Sequence, residues 1–143
     1  NEITHECFAW TKEKFGKRHW VLYNTEMYEV KDSYLHYKES SDLVPELPIN
    51  ATSCYSMFYD CTKLTQLDLS SFDTSKVTTM YCMFYGCKKL TSIYISDKWK
   101  TNRRVDSFKM FEDCHSLSNF NQEKTDAEMA KPIEQGGYLT LKK

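Results

Sequence analysis

Six cysteines and four histidines carry the most reactive side chains in this chain of 143 residues. Such residues serve as disulfide partners, as zinc ligands, or as a nucleophile with its base. His5-Glu6-Cys7 and Cys114-His115 bring ligand types together, but no Cys-x-x-Cys pair, His-x-x-x-His pair or glycine-rich phosphate loop occurs. We therefore predict no metal site, no cofactor and no catalytic residue.

An internal repeat decides the expected state of three cysteines. Met-Phe-x-x-Cys-x-x-Leu begins at Met57, Met83 and Met110, with spacings of 26 and 27 residues. The cysteines of this motif would point the same way from stacked repeats, whereas a disulfide needs opposed Cβ vectors. We predict buried free thiols for Cys61, Cys87 and Cys114. The sequence leaves open whether the other three cysteines, Cys7, Cys54 and Cys82, form disulfides. A bridge between Cys54 and Cys82 would join residues two positions out of register.

The elements that position these residues follow from the same repeat. Alternation in Leu67-Asp68-Leu69 and Ile93-Tyr94-Ile95 predicts short strands. Val77, Met80 and Phe84 follow turn residues at intervals of three and four, which predicts a short helical or 3-10 turn. A unit this small cannot bury its own apolar face, so we expect stacked repeats and a small parallel sheet. The side chains expected inside are Leu64, Leu67, Leu69, Leu90, Ile93 and Ile95.

The two ends of the chain depart from the repeat. In residues 1–42, the apolar runs Cys7–Trp10 and Trp20–Tyr23 predict two antiparallel strands, with a third over Met27–Val30. They would cap the open edge of the first repeat. Repeats would fill residues 43–122 and a C-terminal cap residues 123–143, all in one compact unit. In that cap we predict a helical turn over 125–130, begun by Thr125 or Asp126, and a last strand over Tyr138–Leu141.

The stretch from Met57 through Leu-Asp-Leu-Ser-Ser-Phe-Asp-Thr-Ser-Lys-Val to Met80 closely resembles the BspA-like leucine-rich repeats of bacterial surface and secreted proteins. The resemblance covers about residues 43–143 and is specific over 57–99. It implies an α+β fold, a short leucine-rich-repeat solenoid of about three coils. It also implies a secreted or cell-surface location, adhesion and binding of other proteins, and no catalytic residue. About three coils are too few for a long concave adhesin surface.

We expect any contact with a protein partner on the outward strand positions, which are Gln66, Asp68, Ser92 and Tyr94, extended by Asn119 and Asn121. A merely solvated face explains these residues equally well. The chain has ten tyrosines, which could form a recognition surface or could instead pack in the core. A formal net charge of −1 gives no field that would attract nucleic acid, and no apolar run reaches membrane-spanning length.

The sequence thus predicts a non-catalytic protein-binding module. Two alternatives stay open, namely a structural spacer or cap from a longer repeat protein and a small thiol-dependent enzyme. Because Asn1 stands where a new chain carries Met, we expect a mature or trimmed fragment, with any signal or anchor outside it.

Overall fold

The computed structural model describes residues 51–142 except 63, residue 47, and the backbone of segments 19–23, 26–31, 34–38 and 42–43. The first three segments form an antiparallel sheet of β1 (His19–Tyr23), β2 (Glu26–Lys31) and β3 (Tyr34–Lys38) in that order. The predicted strands Trp20–Tyr23 and Met27–Val30 are confirmed and pair with each other, whereas β3 was not predicted. Cys7–Trp10 lies outside the described residues, and capping of the repeats stays a prediction.

A second, parallel sheet contains β4 (Asp42–Leu43), β5 (Gln66–Asp68), β6 (Ser92–Ile95) and β7 (Thr140–Leu141) in chain order. Its register places Leu67 beside Ile93 and Asp68 beside Tyr94. The alternation seen in the sequence holds in space, since Leu67 is buried while Gln66 is exposed. The prediction of a small parallel sheet is therefore confirmed.

The Met-Phe segments of the repeats are joined by a second set of backbone hydrogen bonds. Cys54 N donates to Thr79 O over 2.9 Å, and Cys82 N donates to Phe108 O over 2.9 Å. Phe84 N continues the pattern with a 2.9 Å bond to the carbonyl of Met110. The first and second repeats are thus bonded both in the sheet and along the Met-Phe segment, whereas the third is bonded to the second along the Met-Phe segment.

The segment predicted to form a short helical or 3-10 turn after the strand contains turns with hydrogen bonds between residues three apart, and it contains no helix. The Met-Phe segments consist of successive turns, such as Met83 N to Met80 O at 3.0 Å. A helix cannot propagate through them because Cys82 and Gly86 have φ values of 51° and 78°, in the left-handed region. The equivalent positions also have positive φ in the first repeat (Ser56, Asp60) and the third (Lys109, Asp113). Among the described residues, the helices are two short 3-10 turns.

The core lies between the sheet and the Met-Phe segments. Phe58 stacks on Phe84 with ring centroids 5.6 Å apart, and Phe84 stacks on Phe111 at 5.3 Å. Tyr138 meets Phe111 edge-on at 5.1 Å and ends this row of rings. All six side chains predicted to point inward are buried, namely Leu64, Leu67, Leu69, Leu90, Ile93 and Ile95.

The C-terminal segment closes one end of the parallel sheet. A 3-10 turn covers Ala127–Met129, and the Asp126 side chain accepts a hydrogen bond from Glu128 N, as an N-cap does. A second 3-10 turn over Ile133–Gln135 ends at Gly136, and β7 then pairs with β6. The predicted helical turn is thus a 3-10 turn, and the predicted last strand is confirmed over its final two residues. No helix in the described part of the chain is long and apolar enough to cross a membrane.

Candidate functional site

Two columns of aromatic side chains lie on the outer surface of the Met-Phe segments. The first aromatic column contains Tyr55, Tyr81 and Phe108, each two residues before the Met of its repeat. The second contains Tyr59 and Tyr85, each directly after the Phe. The turns direct Met and Phe into the core and leave the flanking aromatic residues outside. Tyr55, Tyr59 and Phe108 are 45%, 43% and 55% exposed, which is high for large aromatic side chains.

The rings within each column are stacked. The ring centroids of Tyr55 and Tyr81 are 5.0 Å apart, and their ring planes differ by 4°. The ring centroids of Tyr59 and Tyr85 are 4.8 Å apart, and their planes differ by 7°. Phe108 extends the first column at 5.6 Å from Tyr81. The backbone hydrogen bonds between repeats fix this spacing. Since each ring packs against its neighbour, the columns form a preorganised surface that loses little side-chain entropy on contact.

The columns border an open groove of about 500 Å³. Between the aromatic residues, the groove is lined by Ser56, Cys82 and Lys109, which occupy the same position in successive repeats and share positive φ values. The Lys109 ammonium lies 5.3 Å from the centre of the Phe108 ring, a cation–π distance. Lys109 is the charged residue among those that line the groove.

Three titratable groups of the groove, Tyr59, Tyr81 and Cys82, have a raised pKa. Burial, followed by the negative charge of Asp60, raises the pKa of the Tyr59 hydroxyl. The neighbouring Cys82 thiol raises the pKa of Tyr81, and burial raises the pKa of Cys82 itself. Phenols, a thiol and an ammonium thus make the polar part of the groove rich in hydrogen-bond donors.

Four of the six strand positions predicted for binding do share the sheet. Gln66 pairs with Ser92, and Asp68 pairs with Tyr94. Asp68 is engaged within the chain, because its carboxylate accepts hydrogen bonds from Ser70 N and from the Lys142 ammonium. Partial burial raises the pKa of Asp68, but these hydrogen bonds outweigh it and the net pKa lies below the ordinary value.

Asn119 and Asn121 do not extend this strand face, contrary to expectation. Asn119 has a φ of 64°, and its side-chain amide donates to the carbonyls of Ile133 and Gly137. The Asn121 side chain accepts from Glu123 N, while its backbone bonds to the Tyr138 hydroxyl. Both residues tie the C-terminal segment to the third repeat. β7 takes the place beside β6 that a third repeat strand would have occupied.

The repeated thiols are buried and free, as predicted. Cys87 Sγ donates to the carbonyl of Phe58 over 3.1 Å, and Cys114 Sγ donates to that of Phe84 over 3.0 Å. Burial raises the pKa of both thiols. Cys54 and Cys82 form no disulfide bridge with each other. Cys7 and the His5-Glu6-Cys7 group lie outside the described residues, within which no cluster of potential metal ligands occurs.

The sequence did not single out the aromatic columns as a site, although it held a signal for them. Tyr55 and Tyr81, and likewise Tyr59 and Tyr85, are separated by one repeat length. Such pairs must occupy equivalent positions in neighbouring repeats. The orientation of those positions toward solvent depends on the turns. A helical or 3-10 turn, as predicted from the sequence, did not indicate which side chains would face solvent.

Comparison with known proteins adds a family. A family model described as "Mycoplasma protein of unknown function, DUF285" matches residues 49–131, more than half of the chain. The chain belongs to this family. The DUF285 region contains all three Met-Phe motifs, both aromatic columns, β5 and β6, and it ends before β7. No curated protein and no solved structure matches the chain.

Proposed function

We propose that this DUF285 protein is a non-catalytic protein-binding module of a bacterial secreted or cell-surface repeat protein. In this proposal its three Met-Phe repeats are the coils of a short BspA-like leucine-rich-repeat solenoid. The regular hydrogen bonding between repeats and membership of the DUF285 family support the solenoid. The resemblance to BspA-like repeats supports the location and the general role in adhesion or binding of host or bacterial proteins.

The observation that carries the proposal is the exposure of the two stacked aromatic columns. Tyrosine supplies a large contact area with few rotatable bonds and is enriched in the centres of protein interfaces. Water-exposed aromatic groups gain free energy when a partner covers them. A chain that used its tyrosines only to fill the core would not leave Tyr55 and Tyr59 nearly half exposed.

The strand face is a second candidate contact surface, with fewer groups free for a partner. Asp68 already binds Lys142, and Asn119 and Asn121 hold the C-terminal segment. Gln66, Ser92 and Tyr94 remain there as exposed or half-buried side chains. We therefore place the main contact on the aromatic columns and keep the strand face as the alternative.

The states of the thiols support a binding role over thiol chemistry. A nucleophilic cysteine needs a lowered pKa and access to solvent. The pKa values of Cys82, Cys87 and Cys114 are raised, and their side chains are buried. We expect slow labelling by iodoacetamide at neutral pH until the protein is denatured. Rapid labelling of one cysteine in the folded chain would favour the enzyme alternative.

Paired variants of the two surfaces test the proposal. The full chain, immobilised, is used to capture proteins from host and bacterial extracellular fractions, and the affinity of each captured protein is then measured. We expect Tyr59→Ala/Tyr85→Ala to weaken the interaction by about tenfold or more, an effect typical of interface hot spots. Asp68→Ala/Tyr94→Ala serves as the matched pair on the strand face.

Thermal unfolding of every variant separates loss of contact from loss of fold. If the strand-face pair abolishes binding and the column pair does not, the contact surface belongs to the strands. If no captured protein depends on either pair, the binding-module proposal is wrong.

A further inference from the structure

Five cationic side chains are grouped on two loops that lead from the strands to the Met-Phe segments. This basic loop cluster contains Lys76 in loop 73–76 and four residues of loop 97–104, namely Lys98, Lys100, Arg103 and Arg104. All five are exposed, and none forms an ion pair with another described residue. The described part of the chain thus gives these charges no fixed partner.

Hydrogen bonds between the two loops hold the cluster together. The Thr74 hydroxyl accepts from Lys100 N over 2.6 Å and donates to Lys100 O over 2.7 Å. Directly after Lys76, the carbonyl of Val77 accepts a 2.8 Å hydrogen bond from Asn102 Nδ2. The two loops therefore run side by side, and Lys76 lies beside the cations of the second loop.

Two carboxylates in the same loops reduce the positive charge without cancelling it. Asp73 accepts a hydrogen bond from Ser75 N over 3.0 Å. Hydrogen bonds from Ser75 lower the pKa of Asp73, and the charges of Lys98 and Lys76 lower it further. Asp97, the second carboxylate, is exposed next to Lys98. With five cations against two carboxylates, the loops keep an excess of positive charge.

The charge around the cluster restricts the size of an anionic partner. Asp106, the next carboxylate along the chain, accepts from Phe108 N over 3.4 Å at the start of the Met-Phe segment. Outside the two loops, residues 51–142 contain nine acidic and seven basic residues. The excess of positive charge is therefore confined to the loops. A broad anionic surface, such as a membrane or a DNA duplex, would also meet the acidic part of the protein, whereas a narrow and flexible polymer need not.

The loops contain cations but no exposed apolar anchor. Trp99 is 8% exposed, and its Nε1 donates to Ala130 O over 3.3 Å, so the ring is part of the core. Protein interfaces centre on aromatic or apolar anchors and are depleted of lysine, and membrane-binding surfaces insert apolar side chains. Sulfate and phosphate groups need only charge and N–H donors. The guanidinium groups of Arg103 and Arg104 can bind such oxyanions with two hydrogen bonds each.

We propose that the basic loop cluster binds a flexible linear polyanion that carries sulfate or phosphate groups, such as a sulfated polysaccharide or a polyol phosphate. This site goes beyond the proposed function and uses none of the residues of the aromatic columns. Because the attraction is electrostatic and releases counterions, binding weakens as the salt concentration rises.

Fluorescence polarisation of labelled polymers with the full chain tests the inference. Dextran sulfate supplies sulfate groups, poly(glycerol phosphate) supplies phosphate groups, and uncharged dextran is the control. We expect a charged polymer to bind, with a loss of affinity of about tenfold between about 50 and 200 mM NaCl. The tighter of the two polymers identifies the preferred oxyanion. No binding of either polymer at about 50 mM NaCl, or tighter binding of a DNA duplex or of phosphatidylserine vesicles, would overturn the inference.

Matched lysine variants locate the contact. Lys98→Gln/Lys100→Gln removes two charges from the cluster and should weaken polymer binding about fivefold or more. Lys88→Gln/Lys89→Gln removes two exposed charges outside the cluster and should weaken it less than about twofold. Equal losses in the two pairs would assign binding to the net charge of the chain, and the inference would be wrong.

Removal of the carboxylates should act in the opposite direction. Asp73→Asn/Asp97→Asn keeps a side-chain oxygen that can accept from Ser75 N but removes two negative charges, so polymer binding should strengthen several-fold. Unchanged or weaker binding of this variant would contradict the inference. Thermal unfolding of every variant shows whether the fold is retained.

The outcome is independent of the proposed function. Tyr59→Ala/Tyr85→Ala should leave polymer binding unchanged while it weakens capture of a protein partner. If the polymers fail to bind and a captured protein still depends on Tyr59 and Tyr85, the polyanion site is wrong and the binding-module proposal stands. If the column pair abolishes polymer binding in a folded protein, the site does not lie on the loops.

Discussion

The carboxylate of Asp60 occupies the space that a side chain at Gly86 would need. A Cβ at Gly86 would overlap Asp60 Oδ1 and lie 3.3 Å from Asp60 Cα, and Gly86 has a φ of +78°. Asp60, one repeat earlier, has a φ of 56° and occupies the equivalent position. The first repeat can thus have an aspartate at position 60 because the equivalent residue of the second repeat, Gly86, has no side chain.

Gly86→Ala should destabilise the protein strongly. The left-handed backbone costs alanine about 1 kcal/mol, and the overlap adds about 1 kcal/mol because the Asp60 carboxylate must rotate away beside a Cα that lies 3.3 Å from the added Cβ. Gly136→Ala is the matched control, since Gly136 has a φ of +85° and nothing within 4 Å of the added Cβ. Urea unfolding of both variants measures the difference. Equal losses of stability would show that strain alone, and not contact with Asp60, determines the cost.

Thr74→Val should destabilise the junction between the second and third repeats. The buried Thr74 hydroxyl donates to Lys100 O over 2.7 Å and accepts from Lys100 N over 2.6 Å. Valine has nearly the same shape but leaves both backbone groups unpaired, at a cost of about 1–3 kcal/mol in the free energy of unfolding. Thr74→Ser keeps the hydroxyl and should lose only about 1 kcal/mol for the missing methyl group. A larger loss for serine than for valine would refute the role of the hydroxyl.

Lys142→Met should have a small effect that depends on pH. The Asp68 carboxylate pairs with Lys142 at the edge of the sheet, and its net pKa is lowered. Since the folded pKa lies below the unfolded one, the pair stabilises the protein above about pH 4 and this contribution is lost as the pH falls through the folded pKa. Half of Lys142 is exposed, so we expect less than about 1 kcal/mol at pH 7.

Melting temperatures across the acid range measure the contribution of this pair. The wild type and Lys142→Met should converge as the pH falls below the lowered pKa of Asp68, where this carboxyl is protonated in both. Lys100→Met, whose ammonium forms no ion pair with a described residue, is the control and should show no such convergence. A difference for Lys142→Met that persists in acid would assign the effect to packing.

The buried thiols should weaken the fold at alkaline pH. Burial raises the pKa of Cys87 and Cys114 above the ordinary value of 9.0. Because the folded pKa is higher than the unfolded one, their contribution is complete below about pH 9 and is lost as the pH rises beyond it. In Cys87→Ala/Cys114→Ala, unfolding followed by circular dichroism should show a shallower loss of stability from pH 9 upward. Parallel curves for the two proteins would mean that the thiols do not titrate with unfolding.

The C-terminal segment shows a limit of prediction from the sequence. Asn119 and Asn121 align with outward strand positions, yet β7 lies beside β6 in their place. Either a strand over residues 119–121 or β7 could pair with the free edge of β6, and β7 does so. Asn119 and Asn121 instead hold the segment that contains β7, and Tyr138 packs on Phe111. Such competition depends on the path of the whole chain, so a local pattern cannot decide it.

By itself, the sequence determined which side chains of the repeats form the core and that the strands of the repeats are parallel. Residues repeated at a constant spacing, such as Cys61 and Cys87, must occupy equivalent places, and burial of their apolar surface requires the repeats to lie side by side. Only the tertiary structure decided that turns replace the helix and that tyrosines line an exposed groove. The hydrogen bonds that fix these features join residues in different repeats, so the backbone pairs with its neighbour instead of with itself.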